Sequence, residues 1–328
     1  MMLKAKISGI ASYLPDYRLT NDELSTMVDT NDEWITTRVG IKERRILKGE
    51  TVGASVLGTK AVAKLMAETG VNLDEIDMLV CATSTGDYRF PSTASVIVGN
   101  SKLKNANAYD IQAACSGFLE ALQLGTAYII SGIYKKVLVV AAEMMSSMTN
   151  YTDRATCPLF GDGAAAVLLE PTTADTGVVD SVFKIDGTGL PYLLMKAGGS
   201  AKPTTHETVD AQEHFIYQEG RTVYKNAVNG MLEATNTVLS RNNLSLEDVD
   251  WFIPHQANLR IIEAVGSRVG IDTSKILVNI TNRGNTSAAS IPICMDEFKD
   301  KFKKGDKIVL TAFGAGFTFG SVYLIWDI

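Results

Sequence analysis

At 328 residues, 46% of them hydrophobic, the chain can bury a large core and exceeds the size at which one core usually stops growing, so two structural halves are expected. The net charge of -6, with acidic and basic residues well mixed, excludes the basic surplus that a dedicated nucleic-acid partner would require. No apolar run approaches the ~18 residues of a membrane span, so no membrane partner is expected either.

In chain order, Lys4 and Lys6 precede only a short apolar stretch that stops at Pro15 and Asp16, which does not fit a signal peptide. A cytoplasmic protein is the expectation. Val52 to Thr69 reads as a helix, Met78 to Ala82 and Asn107 to Ile111 as strands. Cys115 to Ser131 is an apolar helical stretch closed by Gly132, and Lys136 to Ala142 and Ala165 to Leu169 are buried strands. Asp186 to Tyr217, rich in Gly, Thr and Pro, reads as loops or a cap over the core. Thr222 to Ser240 is helical, and strands are expected at Asp250 to Pro254, Lys307 to Thr311 and Ser321 to Trp326. This alternation marks an α/β architecture.

A weak internal repeat runs through these elements. Leu73-Asp-Glu-Ile-Asp-Met-Leu-Val matches Leu246-Glu-Asp-Val-Asp-Trp-Phe-Ile, and Phe160-Gly-Asp-Gly matches Phe313-Gly-Ala-Gly. Ala108-Tyr-Asp-Ile, leading to Cys115, matches Leu277-Val-Asn-Ile, leading to Asn285. Three matches in one order point to duplicated halves, 1–170 and 171–328, dividing near Pro171 to Asp186.

The four cysteines form no CxxC pair and the three histidines have no metal-ligand spacing, so neither a metal nor a cofactor is expected. Cys115 lies where a strand gives way to a buried helix. A helix N-terminus favours the thiolate, and small neighbours (Ala114, Ser116 and Gly117) leave room for a substrate. Position alone leaves two readings open, a nucleophile or a small packing residue. His255 follows a buried strand ending in Pro254, where α/β enzymes hold catalytic groups or simply cap the strand. Asn285, after the tight turn that Gly284 permits, opens a helix, where an N-cap is the more common use of an asparagine. Neither glycine turn matches GxGxxG, which argues against a dinucleotide. A hairpin or bulge is the expectation for the Phe160 turn, and the Phe313 turn stays open.

As an ordered set these motifs resemble β-ketoacyl-acyl carrier protein synthase III over nearly the whole chain. The set runs Gly9-Ile-Ala-Ser-Tyr-Leu-Pro, Asn31-Asp-Glu-Trp-Ile-Thr-Thr-Arg, Phe90-Pro-Ser, Ala114-Cys115-Ser-Gly-Phe and Thr152-Asp-Arg. It continues through Phe160-Gly-Asp-Gly-Ala, His255-Gln-Ala-Asn-Leu-Arg, Gly284-Asn285-Thr-Ser-Ala-Ala-Ser and Phe313-Gly-Ala-Gly-Phe. The resemblance implies a thiolase-like fold, two duplicated halves in αβαβα layers, assembled as a homodimer. It also implies that Cys115, His255 and Asn285 are catalytic and that Trp34, Arg38 and Arg154 hold the CoA nucleotide. Phe90 and Phe313 would wall acyl pockets, Phe90 across the dimer interface. Gln256, Ala257, Asn258, Leu259 and Arg260 would meet the acyl carrier protein, with Lys225 and Arg268 extending a basic patch. The implied reaction joins a short acyl-CoA, acetyl-CoA being the expected primer, to malonyl-acyl carrier protein by decarboxylative condensation. A condensing enzyme of secondary metabolism would share every catalytic residue, whereas a silent partner subunit should have lost one. Two departures stand out. Ala315 interrupts the family's glycine run, and Val39 replaces a threonine of the CoA channel.

Overall fold

The computed structural model describes residues 3–328. Two sheets carry the chain. In the first, Lys4–Tyr13, Asp162–Thr172, Val137–Met144, Met78–Ala82 and Asn107–Ile111 lie side by side in that order. The first three are antiparallel neighbours and the last three are parallel. The second sheet repeats the pattern with Gly177–Ile185, Thr318–Ile325, Lys307–Gly314 and Trp251–Pro254. Its fifth position shrinks to one parallel bridge between Phe252 and Ile276.

Alternation along the central strands decides the layering. In Met78–Ala82, Val80 faces one apolar cluster while Leu79 and Cys81 face another. Strands covered on both faces read as continuous apolar runs, which is why they were legible without a period of two. The cluster shared by both sheets is filled by Phe118, Leu119 and Leu122 of helix Gly117–Ile130 and by Ile291, Ile293 and Met295 of helix Ser290–Phe298. Helix Ala54–Thr69 covers the outside of the first sheet through Leu57, Ala61 and Leu65. Helices Gly220–Arg241 and Leu259–Val269 cover the outside of the second. The result is helix, sheet, helix, sheet, helix, the thiolase-like arrangement expected from the motifs. Truncating a side chain as buried as Phe118 would cost about 3–5 kcal/mol.

The fold differs from the sequence expectations at four places. Lys4–Tyr13 and Gly177–Ile185 are strands that no expectation covered. The segment from Asp186 to Tyr217 is a cap, as expected, but an ordered one, with strand Leu193–Met195 paired to strand Ile216–Gln218. The Phe160 turn is not a hairpin. Phe160 bridges Asn285 in parallel, and a Cβ on Gly161 would come 2.4 Å from the Arg283 carbonyl oxygen. Glycine there lets the two halves touch backbone to backbone.

Candidate active site

The ends of both sheets open into one cavity of about 1880 Å³, and Cys115, His255 and Asn285 all line it. Cys115 sits in a 3-10 turn, Ala114–Ser116, one residue before helix Gly117–Ile130 begins. Ala114 holds φ at 46°, a left-handed conformation that costs an alanine energy. Two other such residues border the cavity region, Ser287 at 49° and Phe317 at 49°. Strain stored in the turns bearing the nucleophile, the asparagine and the glycine loop is typical of sites whose geometry is fixed by surrounding packing.

Burial pushes the Cys115 thiol up to about 12, partly offset by the Ser287 hydroxyl and the cysteine's own N–H, while the nearby Glu143 carboxylate pushes it further up. Desolvation therefore works against the thiolate that the helix start favours, although Cys115 is only half-buried and opens onto the cavity.

His255 is 2% exposed and leaves strand Trp251–Pro254 with its N–H bonded to the Thr311 carbonyl at 2.8 Å. Its Nδ1 lies 2.7 Å from Ser290 Oγ, and that oxygen also accepts the Gln256 N–H at 3.3 Å. Where that hydroxyl donates its proton to Nδ1, the ring proton sits on Nε2, giving a donor rather than a base. Burial holds the ring down at about 3, so the imidazole is neutral across the working pH range.

Asn285 Oδ1 accepts the Ser287 N–H at 2.8 Å, and its backbone pairs with Leu159 and Gly161. The asparagine therefore does cap the following turn. Because the oxygen is used in the cap, the Nδ2 donor has the opposite direction left to it, and Asn285 lines the cavity. Two neutral N–H donors on one wall suit an oxyanion.

The Phe313 turn resolves the concern over Ala315. The positive φ values fall on Gly316, at 75°, and on Phe317, so Ala315 is not asked for a glycine conformation. Gly314 is the constrained position, since a Cβ there would stand 2.8 Å from the Cys115 backbone nitrogen. Phe313 lines the cavity. Phe90 is 87% exposed and does not.

At the mouth, Asn31 caps helix Asp32–Val39 and carries Trp34 outward. The Arg38 and Arg154 guanidinium carbons lie 4.6 and 4.2 Å from the Trp34 ring centroid. Aromatic and cationic surfaces thus meet where a nucleotide base and phosphates could be held. Val39 lines the same wall.

Of the residues expected to meet a carrier protein, Ala257, Asn258 and Arg260 line the mouth, and Arg260 is exposed. Asn258 caps helix Leu259–Val269, and Leu259 packs against Gly40. Gln256 is a correction. It is wholly buried, donates to the Pro254 and Leu277 carbonyls and accepts from the Asn279 and Ile280 N–H groups. Its side chain ties two segments together and offers nothing to a docking surface. Sequence reasoning also gave no role to Glu143, a polar residue at the end of an apolar run, or to Ser287 and Ser290 within the Gly284-Asn285-Thr-Ser-Ala-Ala-Ser motif. No cluster of metal-ligating side chains occurs among the described residues.

Comparison with known proteins agrees with this geometry. Residues 109–187 match the family model for 3-Oxoacyl-[acyl-carrier-protein (ACP)] synthase III, and residues 239–326 match its C-terminal model. Beta-ketoacyl-[acyl-carrier-protein] synthase III 2 of Bacteroides thetaiotaomicron is 55% identical over 324 residues, spanning 99% of this chain and 97% of its own. The crystal structure of 3-oxoacyl-[acyl-carrier-protein] synthase III from Aquifex aeolicus VF5 superposes with a TM-score of 0.91 at 41% identity, covering 98% of this chain and 100% of that one. The priming beta-ketosynthase of the R1128 polyketide pathway superposes at 0.90 with 32% identity, covering 98% of this chain and 96% of that one. The chain belongs to the 3-oxoacyl-[acyl-carrier-protein] synthase III family.

Proposed function

We propose that the protein starts fatty-acid synthesis by condensing a short acyl-CoA, with acetyl-CoA the expected primer, with malonyl-acyl carrier protein. The observation that carries this reading is a single cavity lined by a cysteine thiol, a neutral histidine and an asparagine. Cys115 takes the acyl group from CoA, forming a thioester and releasing CoA thiol. The malonyl thioester then loses carbon dioxide, and the charge that develops on its thioester oxygen is met by the N–H donors of His255 and Asn285. The resulting carbanion attacks the acyl-cysteine, and the Cys115 sulfur leaves as the β-ketoacyl carrier protein forms. Trp34, Arg38 and Arg154 receive the CoA nucleotide, and Phe313 borders the acyl group.

Carrier protein docks at the mouth through Ala257, Asn258 and Arg260, with exposed Lys225 and Arg268 extending the positive surface. The halves 1–170 and 171–328 divide close to the break between the first sheet, which ends at Thr172, and the second, which starts at Gly177. Two features support a homodimer, the edge strand Asn107–Ile111 and the exposed Phe90, whose ring would wall the partner's acyl pocket. No helix of the described residues is long and apolar enough to cross a membrane.

The similarity to the R1128 priming ketosynthase favours a second reading, priming of a polyketide, with the same catalytic residues. The experiment is a primer panel, acetyl-CoA to branched and medium-chain acyl-CoA, each offered with malonyl-carrier protein or with malonyl-CoA. Short primers condensing only with the carrier-bound malonyl group support the proposal. Condensation with malonyl-CoA alone would replace it with the second reading.

A further inference from the structure

A buried cation sits beneath the crossing that holds Asn285. Arg44, in strand Glu43–Arg45, is 0% exposed and makes no ion pair among the described residues. Its guanidinium donates to the Leu19 carbonyl at 3.0 Å, twice to Asn21 Oδ1 at 2.9 Å, and to the Pro158 carbonyl at 2.8 Å. Burial lowers the group to about 10, so it remains a cation at neutral pH. Burying a charge among neutral acceptors alone is costly. What the arginine supplies is geometry, because its planar fork holds three oxygens from two separate segments in fixed directions.

One end of the fork is anchored. Asn21, itself buried, donates from Nδ2 to Asp32 Oδ1 and to the Ile41 carbonyl, both at 2.8 Å, and Asp32 opens helix Asp32–Val39. The other end reaches the segment on which Asn285 hangs. Just after Pro158, the Leu159 carbonyl accepts the Asn285 N–H at 2.8 Å, and the Gly161 N–H donates to the Asn285 carbonyl at 3.0 Å. The arginine stem fills the space beneath both glycines of the crossing. A Cβ on Gly161 would stand 3.2 Å from Arg44 Cβ, and one on Gly284 would stand 3.0 Å from it. On the far side, the Lys42 N–H donates to the Thr281 carbonyl at 2.8 Å. Residues 42–44 thus brace both chains that meet at Asn285.

We propose that Arg44 is a positioning residue for the condensation, fixing the 158–161 segment and through it the direction of the Asn285 Nδ2 donor. The proposal deepens the function given above and rests on it. Asn285 Oδ1 is tied to the Ser287 N–H within its own turn, so the amide moves with its backbone, and that backbone is bonded to Leu159 and Gly161. A donor displaced by about 1 Å loses up to about a hundredfold in rate. Arg44 does not line the cavity and touches no substrate. The Cys115 turn is held from elsewhere. The Thr318 hydroxyl donates to the Ala113 carbonyl at 3.2 Å, and the Thr318 carbonyl accepts the Ser116 hydroxyl at 3.1 Å. Acyl transfer to Cys115 therefore does not depend on the fork.

The test is Arg44→Lys, which keeps the charge and most of the stem but loses the planar fork. Carbon dioxide release from malonyl-carrier protein should fall about tenfold or more, while acylation of Cys115 from acyl-CoA stays within about twofold of the wild type. Added to Asn285→Ala, Arg44→Lys should cost no more than about twofold further, since its effect passes through the amide already removed. Backbone amides in peptides covering 158–162 and 284–287 should exchange hydrogen at least about tenfold faster in Arg44→Lys. Asn21→Ala removes the acceptor of the fork and leaves the cation, and it carries the same expectations where Arg44→Lys does not fold.

Unchanged carbon dioxide release, an equal fall in both half-reactions, a double variant that loses the full product of the two single factors, or unchanged exchange in both peptides would each overturn the proposal. Failure of both variants to fold would assign Arg44 to stability alone and overturn it too. If the wild type releases no carbon dioxide from malonyl-carrier protein while exchange still quickens in the variant, the proposed function is lost and the positioning of Asn285 stands.

Discussion

The two halves of the molecule build the same sheet and use equivalent positions for opposite chemistry. Strand Met78–Ala82 ends in Thr83, which hydrogen-bonds a buried acid, whereas its counterpart Trp251–Pro254 ends in His255, a neutral donor. The turn before helix Gly117–Ile130 bears a thiol, and the turn before helix Ser290–Phe298 bears an amide. In the proposed reaction the N-terminal half supplies the thiol that forms a bond. The C-terminal half supplies groups that donate hydrogen bonds. Duplication supplied matching places at the ends of strands and helices, and residue identity with local burial then divided the labour. Contact between the halves, through Phe160 and Asn285 and through Gly314 and Cys115, brings the two sets to one cavity.

This division can be broken most severely from the C-terminal side. His255→Ala and Asn285→Ala each delete one oxyanion donor, at a cost of about 3 kcal/mol, so carbon dioxide release from malonyl-carrier protein should fall about a hundredfold or more. Acylation of Cys115 from acyl-CoA should survive in both. An Asn285→Ala protein that decarboxylates normally would reduce Asn285 to its cap and undo the contrast between the halves.

A smaller effect is expected at the mouth, where exposed Arg260 makes no ion pair among the described residues. Arg260→Glu should raise KM for malonyl-carrier protein several-fold at low salt. The wild-type advantage should shrink as salt shortens the screening length to about 8–10 Å. Acyl transfer from CoA should change less. A KM indifferent to both the substitution and salt would take Arg260 out of docking.

Much of this was legible because burial on both faces writes itself as apolar runs. Met78 to Ala82 and Asn107 to Ile111 were expected as strands with the bounds observed. Lys4–Tyr13 was not recognised, since Ser8, Gly9, Ala11 and Ser12 dilute its apolar signal and a bulge between Ile7 and Gly9 interrupts its alternation. Gly177–Ile185 lies at a sheet edge, where the polar Asp180, Ser181 and Lys184 resemble a loop and exposed Val179 and Ile185 blur its alternation. Within the site, Cys115, His255 and Asn285 stood out because each closes a recognisable strand or opens a helix. Glu143 looked like the polar end of a strand, and only tertiary packing shows that no water reaches it. Gln256 was assigned to the surface by its place beside Arg260, while its hydrogen bonds to the 277–280 segment, which decide its burial, arise from a crossing no local pattern reports.

The central claim is that one half of the molecule carries the acyl group while the other half only steadies charge. Incubation with labelled acyl-CoA, followed by peptide mapping of the wild type and of His255→Ala and Asn285→Ala, tests it most directly. The account predicts label on Cys115 alone in all three proteins. Label on Cys81, Cys157 or Cys294 with Cys115 clean, or no label on Cys115 once either donor is removed, would contradict it.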